Sequence, residues 1–498
     1  IFLKGNANHH DLGALGAASY DRAIERMMLQ LKSFGYNCIR CSHNPYSDSF
    51  ARIADRVGML VVDELTDKWS DNDYWGGRQP FTHIWHKLIT EWIKRDRNRP
   101  SIILWSLGNE LQIREGWAGF EGTNDWGITT YNIFNQLVKR WDHTRLTTVA
   151  MFPARAGAIT RHDKEFNDYL VPPELACATE VASFNYQSDK YDAYLKYRPD
   201  LILFQSEAET SNLLQPYYNM DKERMVGIAY WGSVEYWGES NKWPKKGWNY
   251  SFFEHTMRPY PQAYLIKTAF MPEIPEVHIG VVDAAGAESV SWNDVIVGRM
   301  ALNECWNHTP GSRRSLFTFT NAHSVELLVN GQSMGIQKND TTRANLRNMI
   351  YWKDVPYGNG GSVVAIARDK SGKEVARHRI ETAGKAVALR IEAETPTDWK
   401  ADGMDLQYIN VTVIDKKGRP VWDYNEPLTL QMEGAARLVA LDNGDHYTDE
   451  LFHGITSKRM YQGRMQIILR SDQEAGNVTV KISSAGLKGT LRLKTIKE

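Results

Sequence analysis

Residues 101–111 read SIILWSLGNEL. From Ile102 to Leu107 the run is apolar apart from one serine, and a buried strand is its simplest account. The run enters Gly108 and then sets an amide and a carboxylate side by side, Asn109 and Glu110. A carboxylate at the end of a buried strand is costly unless it has partners or a task. Which of these applies depends on what surrounds it.

On both sides of this segment the hydrophobic pattern alternates between strand and helix. Strands are predicted at residues 2–6, 37–42, 59–65, 102–107, 146–152, 181–186, 201–206 and 225–231. Helical periodicity fills residues 20–34, 47–57, 81–95, 126–141 and 191–197, part of 213–225, and 262–270. Strands mostly separated by helices over about 270 residues fit a (β/α)₈ TIM barrel in length and order. A doubly wound open sheet would offer fewer strands and a glycine-rich phosphate loop, and the sequence has no such loop.

In such a barrel, chemistry sits where strands end and βα loops begin. Polar and charged groups gather at those ends: His9 and His10, Arg40 and His43, Asp63-Glu64, Asn109-Glu110, Asn185-Tyr186, Glu207 and Glu209, and Trp231. Glu110 then need not lie in the core, because it stands at the rim facing the mouth. Glu207 comes three strands later, on the opposite part of the same rim. Paired carboxylates across a sugar-sized cleft are the machinery of glycoside hydrolysis, one delivering a proton and the other attacking the anomeric carbon.

Composition narrows the partners. The 498 residues carry a net charge of −1, which argues against nucleic acid and anionic membrane surfaces as partners. No apolar stretch is long enough to span a bilayer, so membrane insertion is not expected. The 17 Trp and 23 Tyr suit sugar-stacking clefts, although aromatic side chains more often fill cores. Cys38 and Cys41 have the spacing of a redox or metal pair, but they lie inside a predicted strand with no second pair and read as two buried thiols. The chain opens at Ile1 directly into a strand, so it reads as a piece of a longer polypeptide. Any targeting segment would precede it. The compartment stays open, with a bacterial periplasmic or extracellular setting preferred over the cytoplasm.

The composition shifts at residues 271–275, MPEIP, a proline-bearing linker. Helical periodicity then disappears. Short strands at residues 315–320, 324–330, 361–368 and 373–382, with turns at Asn330-Gly331 and residues 370–372, predict a β-sandwich. Residues 386–498 repeat the pattern. The expected domains are a barrel at 1–272, a sandwich with its linker at 273–384, and a second sandwich at 385–498.

Several stretches carry a specific resemblance. FLKGNANHHDLGALG, NCIRCSHNPYSDSFARIADRVGMLVVDE, RDRNRPSIILWSLGNE, LFQSEAE and YWGSVEYWGE follow one another through the barrel. In that order they resemble glycoside hydrolase family 2, which holds β-galactosidases, β-glucuronidases and β-mannosidases. TNAHSVELLVNGQSMG, DGMDLQYINVTVIDKKGRPV and LDNGDHY resemble the immunoglobulin-like modules that follow the barrel in that family.

The resemblance implies a retaining mechanism, with Glu110 as acid/base and Glu207 as nucleophile, and with Glu209 as a rival two residues on. Asn109 would bond the sugar 2-hydroxyl, and Tyr186 and Arg40 would hold the nucleophile. His9 and His43 would line the sugar pocket, and Trp231 would form a platform for the ring. Magnesium-dependent members place a Glu and a His where this chain has Lys68 and Ser70, so no catalytic metal and no cofactor are expected. The Asn-x-Lys signature of β-glucuronidases is not evident.

The expected partner is an oligosaccharide or glycoside, and β-galactosidase is the best single reading. β-Glucuronidase and β-mannosidase are alternatives within the family, and a non-catalytic carbohydrate-binding barrel is the alternative of another class. The family also carries domains before the barrel, one of whose loops helps close the sugar pocket. Their absence here implies a weakened site and an uncovered barrel surface that favours a homo-oligomer.

Overall fold

The computed structural model describes residues 1–69, 80–111, 127–152, 172–240, 242–283, 288–292 and 295–497. Eight strands close into a barrel in sequence order: β1 (Leu3–Asn8), β2 (Cys38–Cys41), β3 (Leu60–Glu64), β4 (Ile102–Asn109), β5 (Leu146–Met151), β6 (Val181–Asn185), β7 (Leu203–Ala208) and β8 (Met225–Trp231). Neighbouring strands are parallel, and β8 returns to β1 with Leu3 opposite Gly227 and Ala7 opposite Trp231. The closing seam is tight. A Cβ on Gly227 would lie 2.4 Å from the Leu3 Cβ, so only glycine fits there.

The helices are α1 (Asp21–Ser33), α2 (Asp48–Val57), α3 (Phe81–Asp96), α4 (Ile128–Trp141), α5 (Glu174–Ala178), α6 (Tyr191–Tyr197), α7 (Gln215–Asn219) and α8 (Ala263–Phe270). The sequence punctuates α2 at both ends. The Ser47 side chain accepts the Phe50 N–H at 3.2 Å, and left-handed Gly58 (φ 71°) ends the helix by donating to Ala54 O. Its Phe50, Ile53 and Ala54 are buried, as the 3.6-residue period requires.

The element boundaries depart from the sequence reading in physical ways. β4 runs through Asn109, and β7 includes Glu207 and Ala208, because pairing continues past the apolar run. The helical pattern over 213–225 yields only α7, which has a proline in its first turn. The five-residue α5 is too short to show a period. Trp126, the expected start of α4, lies outside the described residues.

Gly108 answers the question posed by the LGNE run. A Cβ there would stand 2.7 Å from the indole nitrogen of Trp69, which is fully buried and donates to Leu107 O at 2.7 Å. The glycine lets a tryptophan seal the chain just before the rim.

The chain forms two compact units. One is Ile1–His10, Met28–Ser233 and Ser289–Arg299, and it carries the eight barrel strands. The other is Asp11–Met27, Val234–Glu288 and Met300–Glu498. Its four-stranded antiparallel sheets include Val277–Val282, Arg313–Thr320 and Met349–Pro356 in one, and Ser324–Val329, Ser362–Arg368 and Glu374–Glu381 in the next. These enclose a core with Ile279, Trp306, Leu316, Val325, Trp352 and Ala365. A second pair of sheets, built around Leu406–Asp415 and Asn477–Ser484, encloses Trp399, Ile409, Leu428, Ile467 and Val480. The fold class is thus a TIM barrel followed by all-β sandwiches. Cys38 and Cys41 are free, buried thiols.

Candidate active site

Strand periodicity aims the site residues. On β3 the adjacent Asp63 and Glu64 point to opposite faces. Asp63 accepts the Trp92 indole N–H of α3 at 2.6 Å, whereas Glu64 faces Arg40. The register between β4 and β5 shifts between Ser106 and Asn109, that between β6 and β7 shifts between Phe184 and Asn185, and that between β7 and β8 shifts between Gln205 and Ala208. Such irregularities re-aim side chains, and here they fall where Asn109, Asn185 and Glu207 are presented. The residues just after β4 and β6, Glu110 and Tyr186, hold left-handed backbone at φ 49° and 60°. That conformation costs a non-glycine residue energy which the surroundings must supply.

Arg40, fully buried, is the hub. Its guanidinium donates to Glu207 Oε1 at 2.7 Å, to Glu64 at 2.8–3.1 Å through Nε and Nη2, and to Asn109 Oδ1 at 2.9 Å. Tyr186 Oη donates to the other Glu207 oxygen at 2.5 Å. Both oxygens of Glu207 are therefore held by donors, one of them cationic, which fixes its position. Asn185 Nδ2 donates to Glu110 Oε1 at 3.1 Å and to Asn109 Oδ1 at 3.0 Å, and its own Oδ1 accepts from Ser206 at 2.7 Å. Hydrogen bonds thus run from Glu110 through Asn185, Asn109 and Arg40 to Glu207.

His43 Nδ1 lies 2.6 Å from Glu64 Oε1. Burial pushes the imidazole down, but the hydrogen bond to Glu64 and the charge of that carboxylate outweigh it and hold its pKa above the usual value. For Glu64 burial pushes up, and Arg40 and His43 together bring it below the ordinary carboxylate range. The His43 ring stacks on Trp231 (centroids 5.3 Å apart, planes at 8°), and His9 meets the Trp231 ring edge to face at 5.2 Å. His9 Nδ1 lies 3.1 Å from Ser42 O.

All eight site residues expected from sequence thus enter one connected region of the first unit. Glu209 lies apart from this network: Asn212 bonds its carboxylate, and burial pushes that carboxyl up. Sequence reasoning passed over Glu64 and Asn185 as site residues, although each stands at a strand end that it had noted. Ser106, which donates to Glu64 at 2.6 Å, and Asp67, which accepts from Asn109 at 3.0 Å, gave no sequence signal.

The position of the magnesium ligands in related enzymes does not fit a metal here. Lys68 brings a cation, which pairs with Asp67 at 2.7 Å, and an ammonium has no lone pair to offer. Ser70 lies outside the described residues. Groups of three metal-capable side chains do occur in the second unit, at Glu235–His255–His446 and His278–Glu304–His378.

Comparison with known proteins bears on the family and the fold. Residues 1–222 match the TIM barrel domain of glycosyl hydrolases family 2, and residues 389–491 match the glycoside hydrolase family 2 C-terminal domain 5. Residues 311–376 match a domain of unknown function. The chain belongs to glycoside hydrolase family 2. It is 27% identical to the β-galactosidase BoGH2A of Bacteroides ovatus, over 98% of this chain and 60% of that protein. It is 43% identical to a Formosa agariphila protein named "Putative beta-glucuronidase", over 100% of this chain and 48% of that protein. The chain thus spans about half to three fifths of the length of these relatives. A crystal structure of a family 2 member from Bacteroides cellulosilyticus superposes with a TM-score of 0.86 at 28% identity, covering 100% of this chain and 63% of that one.

Proposed function

We propose that the barrel is a retaining exo-β-glycosidase working by double displacement, with Glu207 as nucleophile and Glu110 as acid/base. The carrying observation is the unequal setting of the two rim carboxylates. Glu207 is gripped at both oxygens by Arg40 and Tyr186, as an attacking atom that must not wander requires. Glu110 sits in an irregular backbone beside an amide donor, the place of a group that passes a proton to and fro. In the first step Glu207 attacks the anomeric carbon while Glu110 protonates the leaving oxygen. In the second, Glu110 takes a proton from water, which releases the sugar from Glu207. Asn109, held by Arg40, Asn185 and Asp67, would bond the sugar 2-hydroxyl. His9, His43 and Trp231 form an aromatic wall that suits a sugar face.

The sugar is proposed as β-galactoside, in line with the name of the Bacteroides ovatus relative. A β-glucuronide is the second reading, favoured by the 43% identical Formosa protein. A panel of nitrophenyl β-galactoside, β-glucuronide and β-mannoside, assayed on the complete protein, decides between them. Failure on the whole panel, with folding intact, overturns the catalytic reading in favour of a carbohydrate-binding barrel.

A further inference from the structure

The second unit holds a set of buried polar groups that the glycosidase reading does not use. Glu235 precedes a short strand, Tyr236–Trp237. His255 follows an isolated bridge at Phe253, and His446 lies just past the strand Ala436–Asp442. Each of the three side chains is at least 97% buried. Glu235 Oε2 stands 3.0 Å from His255 Nδ1 and 3.3 Å from His446 Nδ1, and one donor atom from each residue lies within 4.8 Å of the others. Around a tetrahedral zinc with bonds near 2.0–2.1 Å, neighbouring donor atoms lie about 3.3 Å apart.

The surrounding contacts are those of a metal site. His255 Nε2 faces Asp442 Oδ1 at 2.9 Å, and Asp442 is itself fixed by the Gly444 N–H at 3.0 Å. Tyr260 Oη donates to the other oxygen of Glu235 at 2.7 Å. A carboxylate behind a ligating imidazole, and a donor behind a ligating carboxylate, orient the ligands toward a common centre. A neutral His255 has one N–H. Given to Asp442, it leaves the Nδ1 lone pair facing Glu235 Oε2, which also accepts the His255 backbone N–H at 3.1 Å, and either a second proton or a metal cation between Nδ1 and Oε2 relieves the opposition. His446 Nε2 is buried and has no hydrogen-bond partner among the described residues, so this imidazole is held on one side alone. Glu235 and Asp442 form no ion pair with Lys or Arg among the described residues; without a metal, a protonated His255 between them is their counter-charge, the state that a divalent cation would replace. Trp237 covers both imidazoles, at 4.7 and 5.1 Å.

The neighbouring group fails the same tests. His378 Nδ1 accepts the Ile279 N–H at 3.0 Å, so its Nε2 carries the proton and offers no lone pair to a metal beside Glu304.

We propose that Glu235, His255 and His446 form a site for a divalent transition metal of the zinc class, three protein ligands with water completing the coordination. It would tie residues 234–256 to the loop after Asp442 within the second unit.

The test uses the full chain, stripped with a chelator, then titrated with zinc chloride and separately with cobalt chloride. One equivalent should bind, cobalt should give the intense visible bands of a tetrahedral centre, and zinc should raise the unfolding midpoint by several degrees. Glu235→Gln and His446→Gln should abolish all three, whereas His378→Gln should leave them intact. No binding, with an unchanged midpoint, means that a shared proton alone holds the cluster and overturns the proposal. So does binding that survives Glu235→Gln or His446→Gln. If neither variant folds, the cobalt spectrum of the unmodified chain decides, and a weak octahedral spectrum counts against the site.

Discussion

Two buried charge clusters, one in each unit, look alike in composition and differ in setting. At the barrel mouth Arg40 lies between Glu64 and Glu207, with His43 on Glu64. In the first sandwich Glu304 lies 2.8 Å from His278 Nε2 and 3.1 Å from Arg258, and the His278 ring is stacked between Tyr264 and His378. Both satisfy their charges. The sandwich cluster draws on antiparallel strands, on α8 through Tyr264 and on Arg258, and it borders one left-handed non-glycine residue, Met257 at φ 68°. The mouth cluster borders two non-glycine residues at positive φ and three interrupted registers. Buried charge alone therefore does not single out a candidate site; at the mouth it coincides with interrupted registers at three strand ends, and the proposal of chemistry rests on that combination.

The largest effect that would sharpen this contrast is at Glu207. Glu207→Ala should lower kcat by roughly 10⁴-fold or more, a barrier increase of about 5.5 kcal/mol, while removal of Glu304 leaves turnover near normal. Equal losses at the two sites would break the contrast. Glu110→Ala should cost about 10²–10⁴-fold on substrates with poor leaving groups, far less on activated aryl glycosides, and azide should restore part of the rate as a β-glycosyl azide. Equal loss on every leaving group would remove Glu110 from its role. In a crystal structure of the complex the two carboxyl groups should lie about 5–5.5 Å apart; a separation of roughly 8 Å would mean inversion.

Next in size is the grip on Glu207, the proposed nucleophile. Tyr186→Phe deletes one charge-assisted hydrogen bond, about 1.5–3 kcal/mol, and should slow glycosylation roughly 10- to 150-fold. KM for substrate should move less than kcat. A change confined to KM would show that Tyr186 binds the sugar and does not position Glu207.

Most of this was legible in the sequence. The alternation of apolar runs and helical periods gave eight strands in order, and strand ends pointed to both carboxylates. Periodicity could not show that β7 continues through Glu207, since a polar residue ends an apolar run whether or not its backbone stays paired. Nor could it rank Asp63 against Glu64, because which of two adjacent residues faces the mouth depends on register. Asn185 was hidden for a related reason: its contacts to Asn109 and Glu110 join residues 76 and 75 positions apart. Gly108 was visible as a break, but its cause, the Trp69 indole, lies on another strand's loop.

The smallest predicted effect concerns the sandwich cluster and the sign of its response to pH. Burial and the neighbouring His278 push His378 down to about 3 from 6.5. Below pH 6.5 the unfolded chain takes up a proton that the folded sandwich refuses, so stability falls as pH drops from 6.5 toward 3. Glu304 acts in the same direction at lower pH. Burial pushes it up, but His278 and Arg258 bring it down to about 2 from 4.5, so its contribution is lost as pH falls through that interval. Each group contributes at most about 1.4 kcal/mol per pH unit. Hydrogen exchange at the strand Ser362–Arg368 should therefore quicken between pH 6.5 and 4.5, beyond the intrinsic rate change, through His378 and through His308 of the same sandwich, which burial and Arg314 also push down. His378→Gln should lessen the loss over that interval and leave the Glu304 limb in place. Parallel loss in parent and variant would mean that the imidazole already accepts its proton in the folded state, and the contrast between a closed cluster and a working one would need another basis.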